Sequence, residues 1–252
     1  MSNKPQNSGF SEAPLGSLFV EFSDAGTGPP EGCENHRTRL RERFMRAGAI
    51  ALADYELLEL VLFRAIPRKD VKPLAKKLLG TFGDFNHVIS APPARLASVQ
   101  GIGSAAIQEL KIVEAAAQRL AQCRVIGQNA ISSWGALITY CRTAMAYRQT
   151  EQFRILFLDR KNVLIADESI AQGTVDHVPV YPREVAKRGL EVNASAVILV
   201  HNHPSGDPSP SKADIDMTQR IQSALDAVGI TLHDHVIIGK GAEASFRALG
   251  LL

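Results

Sequence analysis

Cysteine is scarce in this chain: there are three in 252 residues, Cys33, Cys123 and Cys141, widely spaced and odd in number. That count argues against a disulfide framework and against a cysteine-based zinc module. Long hydrophobic runs are missing too, since no apolar stretch approaches the roughly 20 residues a membrane helix needs. No spanning segment and no membrane partner are therefore expected. The opening "MSNKPQNSGF" lacks a basic patch followed by an apolar stretch, so no secretory signal is expected and a cytoplasmic setting follows. An excess of one charge sign is also absent from the whole, at +2, but not from its parts.

By segment, residues 1–35 carry a net −4, residues 36–124 a net +7 and residues 125–252 a net −1. These charge blocks coincide with changes in pattern. Residues 1–35 mix Ser, Gly, Pro, Asn and acids without periodicity, the composition of a disordered tail. Residues 36–124 read as a small helical domain. In "LADYELLELVLFRAI", Leu52, Tyr55, Leu58, Leu62 and Ile66 recur near 3.6-residue spacing, with Asp54 placed to cap and Pro67 to stop. "KPLAKKLLGTF" repeats the logic, with Gly80 as its expected end. Two further helices meet at Gly101-Ile102-Gly103.

Residues 125–252 change character. Runs at 153–159, 162–167, 173–181, 195–200 and 230–239 are rich in Val, Ile and Leu and read as strands. Helical stretches from Pro182 and from about Ser211 to Val228 separate the later ones. Strands alternating with helices predict an α/β layered domain.

The chemistry concentrates in "LVHNHPSGDPSPSKADID", residues 199–216. If the strand stays extended past Val200, His201 and His203 point to one side, and Pro204 and Gly206 then turn the chain away. On the following helix, Met217, Ile221, Leu225 and Val228 form an inward stripe, and three residues before Met217 lies Asp214. A buried carboxylate needs a partner or a metal. Asp207, in the loop, and Asp216, off the stripe, are expected in solvent. Two histidines and one carboxylate leave a coordination position for water, the pattern of a catalytic zinc site. The same Ser211-x-x-Asp214 also fits a plain helix capping box.

His201-x-His203 followed by Ser211-x-x-Asp214 resembles the metal signature of the JAMM (JAB1/MPN) zinc metallopeptidases. With "YPREV" before it and "DHVIIG" after it, the stretch is similar to the bacterial RadC family (UPF0758), and the resemblance extends over residues 36–252. It implies a JAMM/MPN-like, cytidine-deaminase-like mixed sheet with flanking helices, preceded by an all-α helix-hairpin-helix domain. It also implies Zn2+ on His201, His203 and Asp214, with Ser211 serving the water or the developing oxyanion. An upstream glutamate would be the general base, with Glu151 preferred over Glu184. The substrate, a protein or peptide, is unnamed by the motif.

His233 and His235 flank Asp234 at period-two spacing, which places both on one face of a late strand. Asp234 or His235 is a candidate to orient a ligand, and His177 reads as structural. The stretch around Gly101, Ile102 and Gly103 resembles a helix-hairpin-helix, in which glycines let amides approach a DNA phosphate. The +7 excess would add salt-sensitive affinity. A tight turn between packed helices is the competing explanation. Two activities therefore stand beside the hydrolase: a DNA-binding repair accessory with a structural zinc, and a metal-dependent nuclease. A nucleobase deaminase lacks support, since its His-x-Glu and paired-cysteine pattern is missing.

Overall fold

The protein, seen as a computed structural model, is described over residues 33–172 and 180–252. Helices come first: α1 (Cys33–Ala47), α2 (Asp54–Ala65), α3 (Lys72–Phe82), α4 (Phe85–Ser90), α5 (Pro93–Ala97) and α6 (Ser104–Gln122). They enclose a core in which Leu58, Leu62, Ala75, Leu78, Val88, Leu96 and Leu110 are wholly buried. α1 begins at Cys33, so the last three residues of the stretch assigned to the tail are helical. Arg37 anchors α1 by donating to the carbonyls of Ile66 and Lys69 at the end of α2.

Two local expectations need correction. Asp54 does not cap α2: the N-cap is Ala53, whose amide donates to Glu56 Oε2 at 3.0 Å. Asp54 instead accepts from the amide of Phe85 at 3.1 Å, tying α2 to α4. Gly80 lies inside α3, and Gly83 ends that helix with φ 107. Only the second glycine adopts the left-handed backbone that a side chain would resist. The turn at Gly101, with φ 102, does join α5 to α6.

Next comes α7 (Trp134–Met145), which the strand-centred reading of residues 125–252 passed over. It buries Leu137, Ile138, Cys141, Ala144 and Met145 against one face of the sheet. The sheet comprises β1 (Gln152–Leu158), β2 (Leu164–Gln172), β3 (Ala196–Asn202), β4 (Thr231–Ile238) and β5 (Glu243–Ser245) in the order β2-β1-β3-β4-β5. Only the β3–β4 pair is parallel, so the architecture is a mixed α/β sheet. The opposite face carries α8 (Pro182–Glu191) and α9 (Lys212–Asp226) over Phe153, Ile155, Phe157, Val197 and Leu199. The strand expected at 173–181 falls largely outside the described residues, as does His177.

On α9 the buried stripe is Asp214, Thr218, Ile221 and Leu225. Met217 is only partly buried and Val228 is exposed, so the inward face is rotated from the one expected. Thr218, not Met217, sits directly beneath Asp214, and this shift matters at the site.

Candidate metal centre

Every residue of β3 is buried, and its alternation sends Val197, Leu199 and His201 toward α8 and α9. The ladder continues one residue past the strand, because the amide of His203 donates to the carbonyl of Ile238 at 3.1 Å. Backbone held extended to that point puts both imidazoles on one side. Their Nε2 atoms lie 3.0 Å apart. A turn closed by Gly206 N on the His203 carbonyl, with Gly206 at φ 94, then leads the chain away.

α9 returns the third group. Ser211 is its N-cap and Asp214 its third residue, in a complete capping box. The Asp214 amide donates to Ser211 Oγ at 3.1 Å, and Asp214 Oδ2 accepts from the Ser211 amide at 2.8 Å and from its hydroxyl at 2.6 Å. The same carboxylate stands 3.3 Å from His201 Nε2 through Oδ1 and 3.6 Å from His203 Nε2 through Oδ2. Capping and facing the histidines are therefore one arrangement rather than competing ones. Burial alone would raise the Asp214 carboxyl, but hydrogen bonds from His201, His203 and Ser211 outweigh it and hold it well below the usual carboxylate range. Reciprocally, the Asp214 bond raises His203 above its ordinary value despite partial burial.

Glu151 completes the cluster from just before β1, with Oε1 3.8 Å from His201 Nε2 and 4.0 Å from His203 Nε2. Glu184 is not there: it sits half exposed in the first turn of α8 beside Arg183. Asp207 is exposed, its carboxylate accepting from Ser209, and Asp216 is likewise exposed.

Glu151, His201, His203 and Asp214 each offer one ligand atom within 4.8 Å of the others, a group that can hold a metal ion. The spacings test that capacity. Ligand atoms about 2.0–2.1 Å from a tetrahedral ion lie about 3.4 Å from one another. The two Nε2 atoms are 3.0 Å apart, and the Asp214 carboxylate lies 3.3 Å from His201 through Oδ1 and 3.6 Å from His203 through Oδ2, whereas Glu151 stands farther off. The two histidines and Asp214 thus approach a tetrahedral set, and Glu151, the second carboxylate, stands slightly farther out.

Behind this cluster lies a support that sequence reasoning found only in part. His201 Nδ1 meets His235 Nε2 at 2.8 Å, and His235 Nδ1 meets Thr218 Oγ1 at 2.6 Å. Thr218 donates its one hydroxyl hydrogen to the Asp214 carbonyl at 2.6 Å, a group that can only accept. Its oxygen must then accept from His235 Nδ1–H, which leaves His235 Nε2 to accept from His201 Nδ1–H. With His201 neutral, its Nε2 is thereby left as a lone pair aimed into the cluster. Burial, followed by the nearby His201, pushes His235 far below its ordinary value and keeps it in the neutral form this chain requires.

The pairing of His233 with His235 on one face is not found. A β-bulge between Val197 and Ile198 pairs them with Leu232 and Asp234, so His233 is the extra residue. Leu232 and His235 consequently share the α9 face, while His233 bonds Asn162 at 2.6 Å. Asp234 holds the chain after β4, accepting from Ser245 Oγ at 2.5 Å and the Arg247 amide at 3.0 Å.

Comparison with known proteins adds an independent line. Residues 131–251 match the family described as RadC-like JAB domain, and residues 34–108 match the UPF0758 N-terminal family. A UPF0758 protein of Ruegeria pomeroyi is 69% identical over 223 residues, which are 88% of this chain and 100% of the relative. One of Rhodobacter capsulatus is 70% identical over 213 residues, 84% of this chain and 100% of the relative.

Proposed function

This chain belongs to the RadC-like JAB-domain family of UPF0758 proteins, and on that premise we propose that it is a zinc-dependent hydrolase of the JAMM type acting on a peptide or isopeptide amide. The observation that carries the reading is the spacing of His201, His203 and Asp214 around one point, with Glu151 set back from it. Two imidazoles and a carboxylate suit zinc, a borderline-soft ion commonly bound by nitrogen and oxygen donors. What zinc supplies in such a site is Lewis acidity, which makes water acidic near neutral pH and polarises a carbonyl.

The chain's own groups divide the remaining work. His201, presented as its Nδ1–H tautomer, and His203, whose Nδ1 lies 2.8 Å from the Asp207 carbonyl, both turn Nε2 inward. Asp214 supplies the negative charge. Glu151 takes a proton from the attacking water and returns it to the leaving amine, a role worth about 10²–10⁴-fold in rate. Ser211 turns its hydroxyl from Asp214 toward the carbonyl oxygen as charge develops there.

The test pairs wild type with Glu151→Gln on peptide, isopeptide and DNA substrates, with and without chelator. Peptide or isopeptide cleavage that disappears in both the variant and the chelated enzyme is the expected result. Protein that carries no stoichiometric zinc, or whose zinc content is unchanged by Asp214→Ala, overturns the reading; cleavage of DNA alone would make it a nuclease.

A second reading, a DNA-binding accessory with a structural zinc, draws on the hairpin between α5 and α6. Gly101 needs its positive φ, whereas Gly103, at φ −102 and at the N-cap of α6, has open space where a Cβ would stand. The second glycine is thus not required by the backbone, and close approach of a phosphate would give it a reason.

A further inference from the structure

Beside the metal centre, where the helical segment meets the sheet, lies a hollow of about 290 Å³ whose walls include Arg95, Tyr147, Arg148, Gln149, Pro204 and Lys240. Among the described residues, no Asp or Glu lines it. Pro204 directly follows His203, and Gln149 is two residues from Glu151, so the wall is continuous with the ligand-bearing chain.

The charges there are incompletely answered. Arg95 enters no ion pair among the described residues; its guanidinium donates to the side-chain oxygen of Gln149 and lies 5.4 Å from the centre of the Phe82 ring. Lys240 enters none either. Its stem crosses the turn after His203, where a Cβ on Gly206 would stand 3.1 Å from Lys240 Cδ. Arg148 has a carboxylate, Glu114 at 3.2 Å, and His87, also in the lining, has Asp84 at 2.8 Å. Like charges gathered in a concave, part-buried place raise the local potential and favour an anion.

We propose that this hollow is a specificity subsite that receives an acidic side chain of the substrate, a few residues from the bond cleaved at the metal centre. The inference rests on the hydrolase reading and names the class of its substrate: a peptide segment bearing Asp or Glu. An extended peptide advances about 3.3 Å per residue, so a chain crossing the cluster reaches the Pro204 wall within a few positions. The planar fork of Arg95 suits a carboxylate in two-pronged contact, and Lys240 adds a mobile point charge. A hollow of this size holds one side chain rather than a nucleic-acid backbone, which favours the peptide.

The probe is a blocked pentapeptide with a central glutamate, compared with its glutamine and lysine counterparts and with a hexathymidylate oligonucleotide. Each carries a fluorophore and is titrated onto the full chain with and without zinc. The glutamate peptide binds about tenfold more tightly than the glutamine peptide, the scale of one charge-assisted hydrogen bond. Arg95→Ala removes that preference, and Lys240→Glu, at an exposed position that leaves the fold intact, turns it toward the lysine peptide. Equal binding of the three peptides up to their solubility limits overturns the proposal, as does tighter binding of the oligonucleotide that Lys240→Glu abolishes. Peptide hydrolysis without charge preference defeats this inference alone. Charge preference without hydrolysis defeats the hydrolase reading instead.

Discussion

Asn202 holds the backbone on both sides of Glu151: its Oδ1 accepts from the Gln152 amide at 2.9 Å, and its Nδ2 donates to the Thr150 carbonyl at 3.2 Å. Asn202 is wholly buried, and strand alternation points it away from the flanking histidines. The residue between the two histidines thereby fixes the carboxylate that faces them. Asn202→Leu should keep zinc affinity within about threefold while kcat falls roughly 10²-fold or more, as expected for a misplaced base. Zinc titration alongside steady-state kinetics separates the two effects.

Thr218 commits His201 to one tautomer through His235. Thr218→Val preserves shape but removes the acceptor that fixes the His235 proton. Zinc affinity should fall about 10–100-fold, the usual effect of losing an outer partner of a ligand. A competitive chelator titration measures it, and far-UV circular dichroism should remain unchanged.

Asp167 closes a pairing away from the site. Arg154 reaches its two oxygens at 2.9 and 2.8 Å, and the Tyr140 hydroxyl donates to it from α7. Asp167→Ala would leave a largely buried guanidinium without its counter-charge, and such losses cost about 3–5 kcal/mol. Chemical denaturation should show the drop, whereas Arg188→Ala, at an exposed pair with Glu168, should leave the denaturation midpoint nearly unchanged.

The two cysteines with described side chains should differ sharply in reactivity. Burial, with Asp167 adding to it, pushes the Cys141 thiol up to about 12, while Cys123 is exposed at the end of α6. The thiolate is the reactive form. Iodoacetamide at pH 8 should alkylate Cys123 and spare Cys141 until denaturant is added, as read by peptide mass mapping.

Gly103→Val tests the nucleic-acid reading without disturbing the fold. If its amide approaches a phosphate, affinity for branched DNA falls about tenfold and the slope of affinity against salt shallows by about one. Unchanged binding returns the hairpin to a purely architectural role.

Much of this was legible in one dimension because the signals are local. Period-two alternation after a buried strand, with a proline and a glycine to turn the chain, brings His201 and His203 to one side. A serine three residues before an aspartate starts α9, which is enough to carry Asp214 back. Other features lay beyond local signals. The bulge at His233 depends on how β4 registers against β3, and no pattern within β4 announces it. α7 was legible in principle from the spacing of Leu137, Cys141 and Met145, but the apolar strands that follow dominate the composition.

By itself, then, the sequence determined most of the order of helices and strands, the convergence of His201, His203 and Asp214, and the family. Tertiary structure decided which glutamate faces them, because Glu151 reaches the cluster only through the pairing of β1 with β3 and the grip of Asn202. It also decided that Thr218 lies under Asp214 and that His235 backs His201. Those contacts join residues far apart in the chain, and backbone periodicity carries information only about neighbours within a turn or a strand.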